Sequence, residues 1–184
     1  MSAVPLDMNN PFEHFVFSCR TGNADVVREY LQNNELDISE VFTFFRFACL
    51  SANSDTVICF LDKYPKLTVS FDNEFAFRYA CQNGKMDFIR FLFEKNPNID
   101  ISADNDFAFR MAAEFGRMDV LHFLYGMKQD FNIAFDNYGA YRNAYKKGHR
   151  DVVTFLLEKY PDIDKHIHIV NDPQHPGQKH QVLM

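Results

Sequence analysis

The sequence predicts an all-α solenoid of stacked helix-turn-helix units. Three observations carry this: a 32-residue internal period, helical patterning punctuated by glycine within each period, and an unusual supply of phenylalanine. The period is read directly. From Asp72 the chain runs DNEFAFRYACQNGKMDFIRFLFEKNPNIDIS, from Asp104 DNDFAFRMAAEFGRMDVLHFLYGMKQDFNIA, and from Asp136 DNYGAYRNAYKKGHRDVVTFLLEKYPDID. At a spacing of 32 these segments align without gaps, matching Arg78, Arg110 and Arg142, then Ala80, Ala112 and Ala144, then Gly84, Gly116 and Gly148, then Asp87, Asp119 and Asp151. Arg46, Ala48 and Asp55 continue the columns one period earlier, with Ala52 in the glycine place. A looser first unit places Phe15, Gly22 and Asp25 another 30 residues back. The expected organisation is a 1–11 extension, repeats at about 12–39, 40–71, 72–103, 104–135 and 136–164, and a 165–184 strap or tail.

Each unit has a physical reading. The Asp-Asn pairs at 72–73, 104–105 and 136–137 predict a turn and an N-cap. A first helix follows, as in Phe107 to Phe115. There Phe107, Met111 and Phe115 recur at i, i+4 and i+8, with small Ala108 and Ala112 between them to admit a neighbouring helix. Gly116 ends that helix in a conformation with φ > 0. A second helix starts near Met118, with Asp119 in its first turn where the macrodipole favours an anion, and Val120, Leu121, Phe123 and Leu124 as its apolar body. Pro65, Pro97 and Pro161 stand just past the second helices. Two helices and a turn cannot bury a core alone, whereas stacked neighbours can. With 21 Phe and no Trp, even a thin stack has large side chains to bury.

Composition bounds the function. Net charge is −6, so the chain lacks the basic balance of a nucleic-acid binder; Lys146, Lys147, His149 and Arg150 make one short basic cluster. The N-terminus has neither a basic segment nor an apolar core of a signal peptide, and no apolar run approaches membrane-spanning length. Cys19, Cys49, Cys59 and Cys81 show no metal-site spacing. They read as reduced, inert thiols in a cytoplasmic or nuclear compartment, Cys49 and Cys81 occupying the repeat position of Ala113. His166 and His168 could chelate a metal, but a loose exposed tail is the better reading. No phosphate loop or nucleophile elbow occurs. The expectation is therefore a non-enzyme without metal or cofactor, most simply a monomer.

The pattern resembles the ankyrin repeat. Gly148-His149-Arg150-Asp151-Val152-Val153-Thr154-Phe155-Leu156-Leu157 reads almost as that family's second helix, and Gly22-Asn23-Ala24-Asp25-Val26-Val27 is similar. A tetratricopeptide reading fails for want of its Trp. The first half departs: Phe77-Arg78 and Phe109-Arg110 stand where Leu-His is usual, Ala76 and Ala108 where Pro is usual, and the turn lacks its glycine. The resemblance therefore implies an all-α, ankyrin-like helix-turn-helix solenoid with short or reduced hairpin loops. It also looks like divergent arrays in proteins of intracellular bacteria and large viruses, where an effector role is possible.

What the resemblance implies is a protein-protein interaction scaffold or adaptor that binds through its concave face. The alternative is a non-catalytic accessory or regulatory subunit of an enzyme complex. Candidate contact residues are those that vary while the scaffold repeats: Asn73, Glu74, Tyr79 and Gln82; Asn105, Asp106, Met111 and Glu114; Asn137, Tyr138, Asn143, Lys146 and Lys147. Phe47, Asn83 and Phe115 occupy related positions. Arg46, Arg78, Arg110 and Arg142 are expected to tie adjacent loops. Asp55, Asp87, Asp119 and Asp151 recur once per repeat, the signature of helix stabilisation rather than of one active site. Phe12, Phe15, Phe17, Val26, Val27, Tyr30 and Leu31 are expected to face inward and cap the first repeat, and Ile163, Ile167 and Ile169 to strap the last. An uncapped end would instead expose Phe155 and Leu157.

Overall fold

The computed structural model describes residues 9–163. Among them the chain forms ten helices and no strand. They pair as α1 (Pro11–Thr21) with α2 (Ala24–Asn33), α3 (Ile38–Ser51) with α4 (Ser54–Lys63), α5 (Phe71–Asn83) with α6 (Met86–Lys95), α7 (Ala103–Glu114) with α8 (Met118–Met127), and α9 (Phe135–Lys146) with α10 (Arg150–Lys159). First helices stack on first helices along the array, α1 on α3, α3 on α5, α5 on α7 and α7 on α9. The tail residues expected to form a strap or chelate a metal, Ile167, Ile169, His166 and His168, lie outside the described residues, as do residues 1–8.

The alanine column shows why the first helices can pack so closely. Ala48, Ala80, Ala112 and Ala144 are fully buried, and beside them Phe45, Phe77 and Phe109 fill the layer between helices at 0–1% exposure. Burying one such ring contributes about 1.5–3 kcal/mol. In α7 the buried side is Ala108, Phe109, Ala112 and Ala113. Phe107, Met111 and Phe115, the expected apolar stripe, are only half-buried and lie on the opposite side of the helix. Cys49 and Cys81 are in the same core, and burial pushes the thiols of all four cysteines up.

The turn inside each unit is closed by glycine. Gly84, Gly116 and Gly148 have φ of 70°, 69° and 76°. The N–H of the following residue bonds back five residues, Lys85 to the Ala80 carbonyl, Arg117 to Ala112 and His149 to Ala144, each at 2.8–3.0 Å. This is the Schellman arrangement. At Gly116 a side chain is excluded twice, since a Cβ would also stand 2.6 Å from His149 Nδ1. Ala52 occupies the same place in the second unit with φ of 53°, a conformation L-residues adopt at a cost. Asp25, Asp55, Asp87, Asp119 and Asp151 all fall in the first turn of a second helix.

The ends differ from expectation in part. Phe15, Val27 and Leu31 are buried, but Phe12 and Phe17 are 41% and 39% exposed. Phe12 sits at the rim of the core, its ring 6.3 Å from Tyr30 of α2 and 5.7 Å from Phe44 of α3. Phe155 is buried against His122 and Tyr125 of α8 and Leu157 is half-buried, whereas Tyr145 of the same repeat is 38% exposed. Ile163 is buried.

Candidate interaction face

The loops entering α5, α7 and α9 carry the most unusual backbone. Asp72, Asn73 and Glu74 all have φ of 53–60°, Asp104, Asn105 and Asp106 φ of 55–59°, and Asp136, Asn137 and Tyr138 φ of 51–59°. Three consecutive left-handed residues make one reversed turn in place of the hairpin of the resembled family. Asp and Asn tolerate this conformation better than other side chains. The Asp-Asn pairs do not act as N-caps here, because no side-chain cap bond forms at α5, α7 or α9. The Asp72 and Asp104 carboxylates pair instead with the arginine of the preceding repeat, and that of Asp136 with Arg142 of its own repeat at 3.7 Å.

The arginine column holds these turns. Arg78 Nη2 donates to the Asp72 carbonyl, Arg110 to the Asp104 carbonyl and Arg142 to the Asp136 carbonyl, at 3.3, 3.1 and 2.9 Å. Arg110 Nε adds a bond to the Asn105 carbonyl at 2.9 Å. Forward along the stack, Arg46 pairs with Asp72 and Arg78 with Asp104. The guanidinium groups also lie over rings: Arg46 over Phe75, Arg78 over Phe107, and Arg110 over both Phe107 and Phe135. Such contacts add about 0.5–1 kcal/mol each at exposed sites.

Two residues expected on the surface are interior. Glu74 is 7% exposed and accepts from the Asp100 N–H at 3.3 Å. Asp106 is 4% exposed and accepts from Lys128 Nζ at 2.9 Å and the Asn132 N–H at 2.7 Å. The left-handed turn rotates the third residue of the triplet inward, where its carboxylate satisfies the next loop's backbone. Neither residue is available to a partner.

The remaining candidates share the side of the first helices. Tyr79 is half-buried and stacked on Phe75 at 6.2 Å. Gln82, Met111 and Asn143 are half-buried, and Asn73, Asn105, Asn137, Lys146 and Lys147 exposed; Tyr138 is half-buried. Glu114 accepts from Asn143 Nδ2 at 2.9 Å and from Lys147 Nζ at 2.8 Å. The Lys147 bond, with that of Asn143, holds its carboxyl below the usual glutamate range. Lys147 lies 3.9 Å from the centre of the Phe115 ring.

A further column escaped the sequence reading. Tyr64, Asn96, Lys128 and Tyr160 follow the second helices at a spacing of 32. Tyr64 Oη accepts from the Leu36 N–H, Asn96 Nδ2 donates to Ser70 Oγ, Lys128 Nζ to Ser102 Oγ and Asp106, and Tyr160 Oη to the Gln129 carbonyl. Its members differ in type, so only the spacing could have revealed it.

Two surface grooves flank the stack. One, of about 340 Å³, is lined by Phe42, Thr43, Arg46, Phe71 and Asp72; the other, of about 290 Å³, by Asn83, Gly84, Gly116, Arg117, Met118, Asp119 and Val120. Neither brings together a nucleophile, a base and an oxyanion donor. Among the described residues no group of three His, Cys, Asp or Glu side chains could hold a metal, and no helix is long and apolar enough to cross a membrane.

A family model described as "Ankyrin repeats (3 copies)" matches the chain over residues 15–135 and 79–167. No curated protein matches the chain.

Proposed function

The chain belongs to the ankyrin-repeat family, and from that premise we propose that it is a scaffold or adaptor that binds a partner protein on the side carried by its first helices and loops. Ankyrin repeats generally mediate protein-protein interaction and are typically non-catalytic. The observation that carries the reading is the division of labour within the repeat. Arginine, alanine and glycine columns repeat and make the fold, while one half-exposed position after each arginine changes from Phe47 to Tyr79, Met111 and Asn143. A second changes from Gln82 to Glu114 and Lys146. Variation on a fixed frame, mixing aromatic and polar groups, is what a specific interface needs. Asn73, Asn105, Asn137, Tyr138, Asn143 and Lys147 complete the proposed surface; Glu74 and Asp106 do not belong to it.

The test is affinity capture from lysate by the full chain and by a Tyr79→Ala/Met111→Ala variant, with circular dichroism to establish that both are folded. The expected result is a partner retained by the parent and lost by the variant. Equal capture by both would place the interface elsewhere and overturn this surface. An accessory subunit of an enzyme complex would use the same binding step; captured partners with catalytic activity would favour that reading.

A further inference from the structure

The repeat pattern continues past the last described helix. Leu67, Ile99, Phe131 and Ile163 stand at a spacing of 32, each leading out of a second helix. Ile99 and Phe131 are 7% and 4% exposed with a further repeat built beyond them, and Ile163 is buried as deeply, at 1%. The next members of the pattern are Phe71, Ala103, Phe135 and Ile167. Phe71 packs on Phe45 of the preceding first helix at 5.1 Å, with Arg46 over its ring, and Phe135 lies beneath Arg110 at 4.2 Å. The family match also runs to residue 167. The surface that a further repeat would cover is aromatic. Tyr141 and Tyr145 of α9 are stacked at 6.3 Å, and Tyr145 is 38% exposed where its counterparts Cys49, Cys81 and Ala113 are fully buried. Among the described residues Arg142 reaches only Asp136 of its own repeat.

We infer that residues 164–170 lie as an extended strap along α9, with Ile167 on Tyr141 beneath Arg142 and Ile169 on Tyr145. This goes beyond the scaffold reading and does not depend on it. The sequence argues against a sixth first helix. Pro176 stands in the alanine column, 32 residues after Ala144 and inside the span of each first helix. A proline there removes a backbone N–H and its ring clashes with the preceding turn. The reversed turn is lost too, because His168, Ile169 and Val170 stand in place of its triplet and β-branched side chains disfavour φ > 0. Extended backbone suits them. It sets Ile163, Ile167 and Ile169 on one face and His166 and His168 on the other. The spacing matches the surface. Ile167 and Ile169 stand about 6.6 Å apart in that conformation, against 6.3 Å between the Tyr141 and Tyr145 rings. Lys165 falls on the inner face where Val69 is buried, and its stem can follow the apolar surface with the ammonium in water. The strap begins at Ile163, already seated at this end, so it reaches the tyrosines without the entropy cost of docking a separate chain.

The chain has no Trp, so a single introduced one reports alone. Ile167→Trp in the full chain is expected to emit blue-shifted and to be shielded from acrylamide. Gln178→Trp, past the prolines, is expected to be quenched as free tryptophan is. Arg142→Ala and Tyr145→Ser are each expected to move the Ile167→Trp signal toward that of Gln178→Trp. Phe17→Ala, at the far end of the stack, is expected to leave it unchanged. Far-UV circular dichroism establishes that each variant is folded, and Ile169→Trp is the second probe where Ile167→Trp is not. Hydrogen exchange gives an independent readout: Ile167→Asp/Ile169→Asp is expected to speed exchange in α9 and α10 and to leave α1 to α4 as in the parent. Equal quenching at positions 167 and 178, shielding that survives both Arg142→Ala and Tyr145→Ser, shielding that rises with protein concentration, or unchanged exchange in α9 and α10 would each overturn the inference. Dependence on concentration would assign the cover to a second copy of the chain instead.

Discussion

Replacing Arg110 by alanine should destabilise the protein by about 2–4 kcal/mol. The figure is built from its contacts. The guanidinium donates to two carbonyls, Asn105 at 2.9 Å and Asp104 at 3.1 Å. An intramolecular hydrogen bond contributes about 0.5–1.5 kcal/mol net, and half-exposure keeps these two at about 0.5–1 kcal/mol each. It also lies over Phe107 and Phe135, at 5.5 and 4.2 Å from their centroids, for about 0.5–1 kcal/mol each. In a chain of this size about 1 kcal/mol moves Tm by roughly 2–4 °C, so a fall of about 5–15 °C is expected. Arg110→Lys keeps the charge but loses the planar fork, and should recover less than half of the loss. Arg46→Ala is the internal control. Among the described residues its only polar partner is the half-exposed Asp72 carboxylate, so with its ring contacts it should cost about 1 kcal/mol. Urea unfolding followed by far-UV circular dichroism gives the comparison, with hydrogen exchange at Asn105 and Asp106 to locate the loosening. The reasoning is refuted if Arg110→Ala stays within about 0.5 kcal/mol of the parent, or if Arg46→Ala costs more.

Other substitutions probe the same frame. Ala52→Gly relieves a left-handed alanine at φ of 53° and should stabilise by about 0.5–1 kcal/mol, after the extra freedom glycine gives the unfolded chain; a lower urea midpoint would contradict this. Asp106→Ala strands Lys128 and the Asn132 N–H and should cost about 3–5 kcal/mol, well above Glu74→Ala, whose carboxylate has only the 3.3 Å bond from Asp100; the two are compared by chemical denaturation. Glu114 has a depressed pKa when folded. Its stabilisation is therefore complete above the ordinary glutamate value of 4.5 and is lost as pH falls from there through the lower folded value, so Glu114→Gln should flatten the acid limb of the Tm–pH curve.

The fold was legible because its determinants repeat. Gly84, Gly116 and Gly148 mark a backbone conformation that few residues share, and Ala80, Ala112 and Ala144 mark a distance; both survive as residue identity. The interaction face was legible only in part. Variable positions such as Tyr79, Met111 and Lys146 stand out against the repeat, but variation alone does not distinguish a surface from an interior that changes chemistry. Glu74 and Asp106 looked like surface acids for that reason. Their burial depends on a left-handed triplet, and no local pattern announces where the third side chain of such a turn points. Lys128 was missed for the converse reason: its column holds Tyr, Asn, Lys and Tyr, a constant place with no constant residue. Phe12 and Phe17 were placed inward by hydrophobicity, although a helix at the end of a stack has a neighbour on one side only.

The arginine and the reversed turn explain each other. Three left-handed residues cost about 1–2 kcal/mol each, so a triplet asks for several kcal/mol of compensation. Arg78, Arg110 and Arg142 each supply it by bonding the carbonyl six residues back, at the first residue of their own triplet. The second repeat tests the connection within the molecule. There α3 starts at Ile38 behind a capping box of Asp37 and Glu40, and no triplet forms. Among the described residues Arg46 makes no backward bond and reaches forward, to Asp72 of the next repeat. The straight start of α3 is also what leaves Phe42 exposed, because the position that the triplet turns inward in α5 and α7 stays on the outer side of a regular helix. One local choice, capping box or reversed turn, thus decides both what the arginine holds and whether its repeat shows the face an apolar or a polar surface.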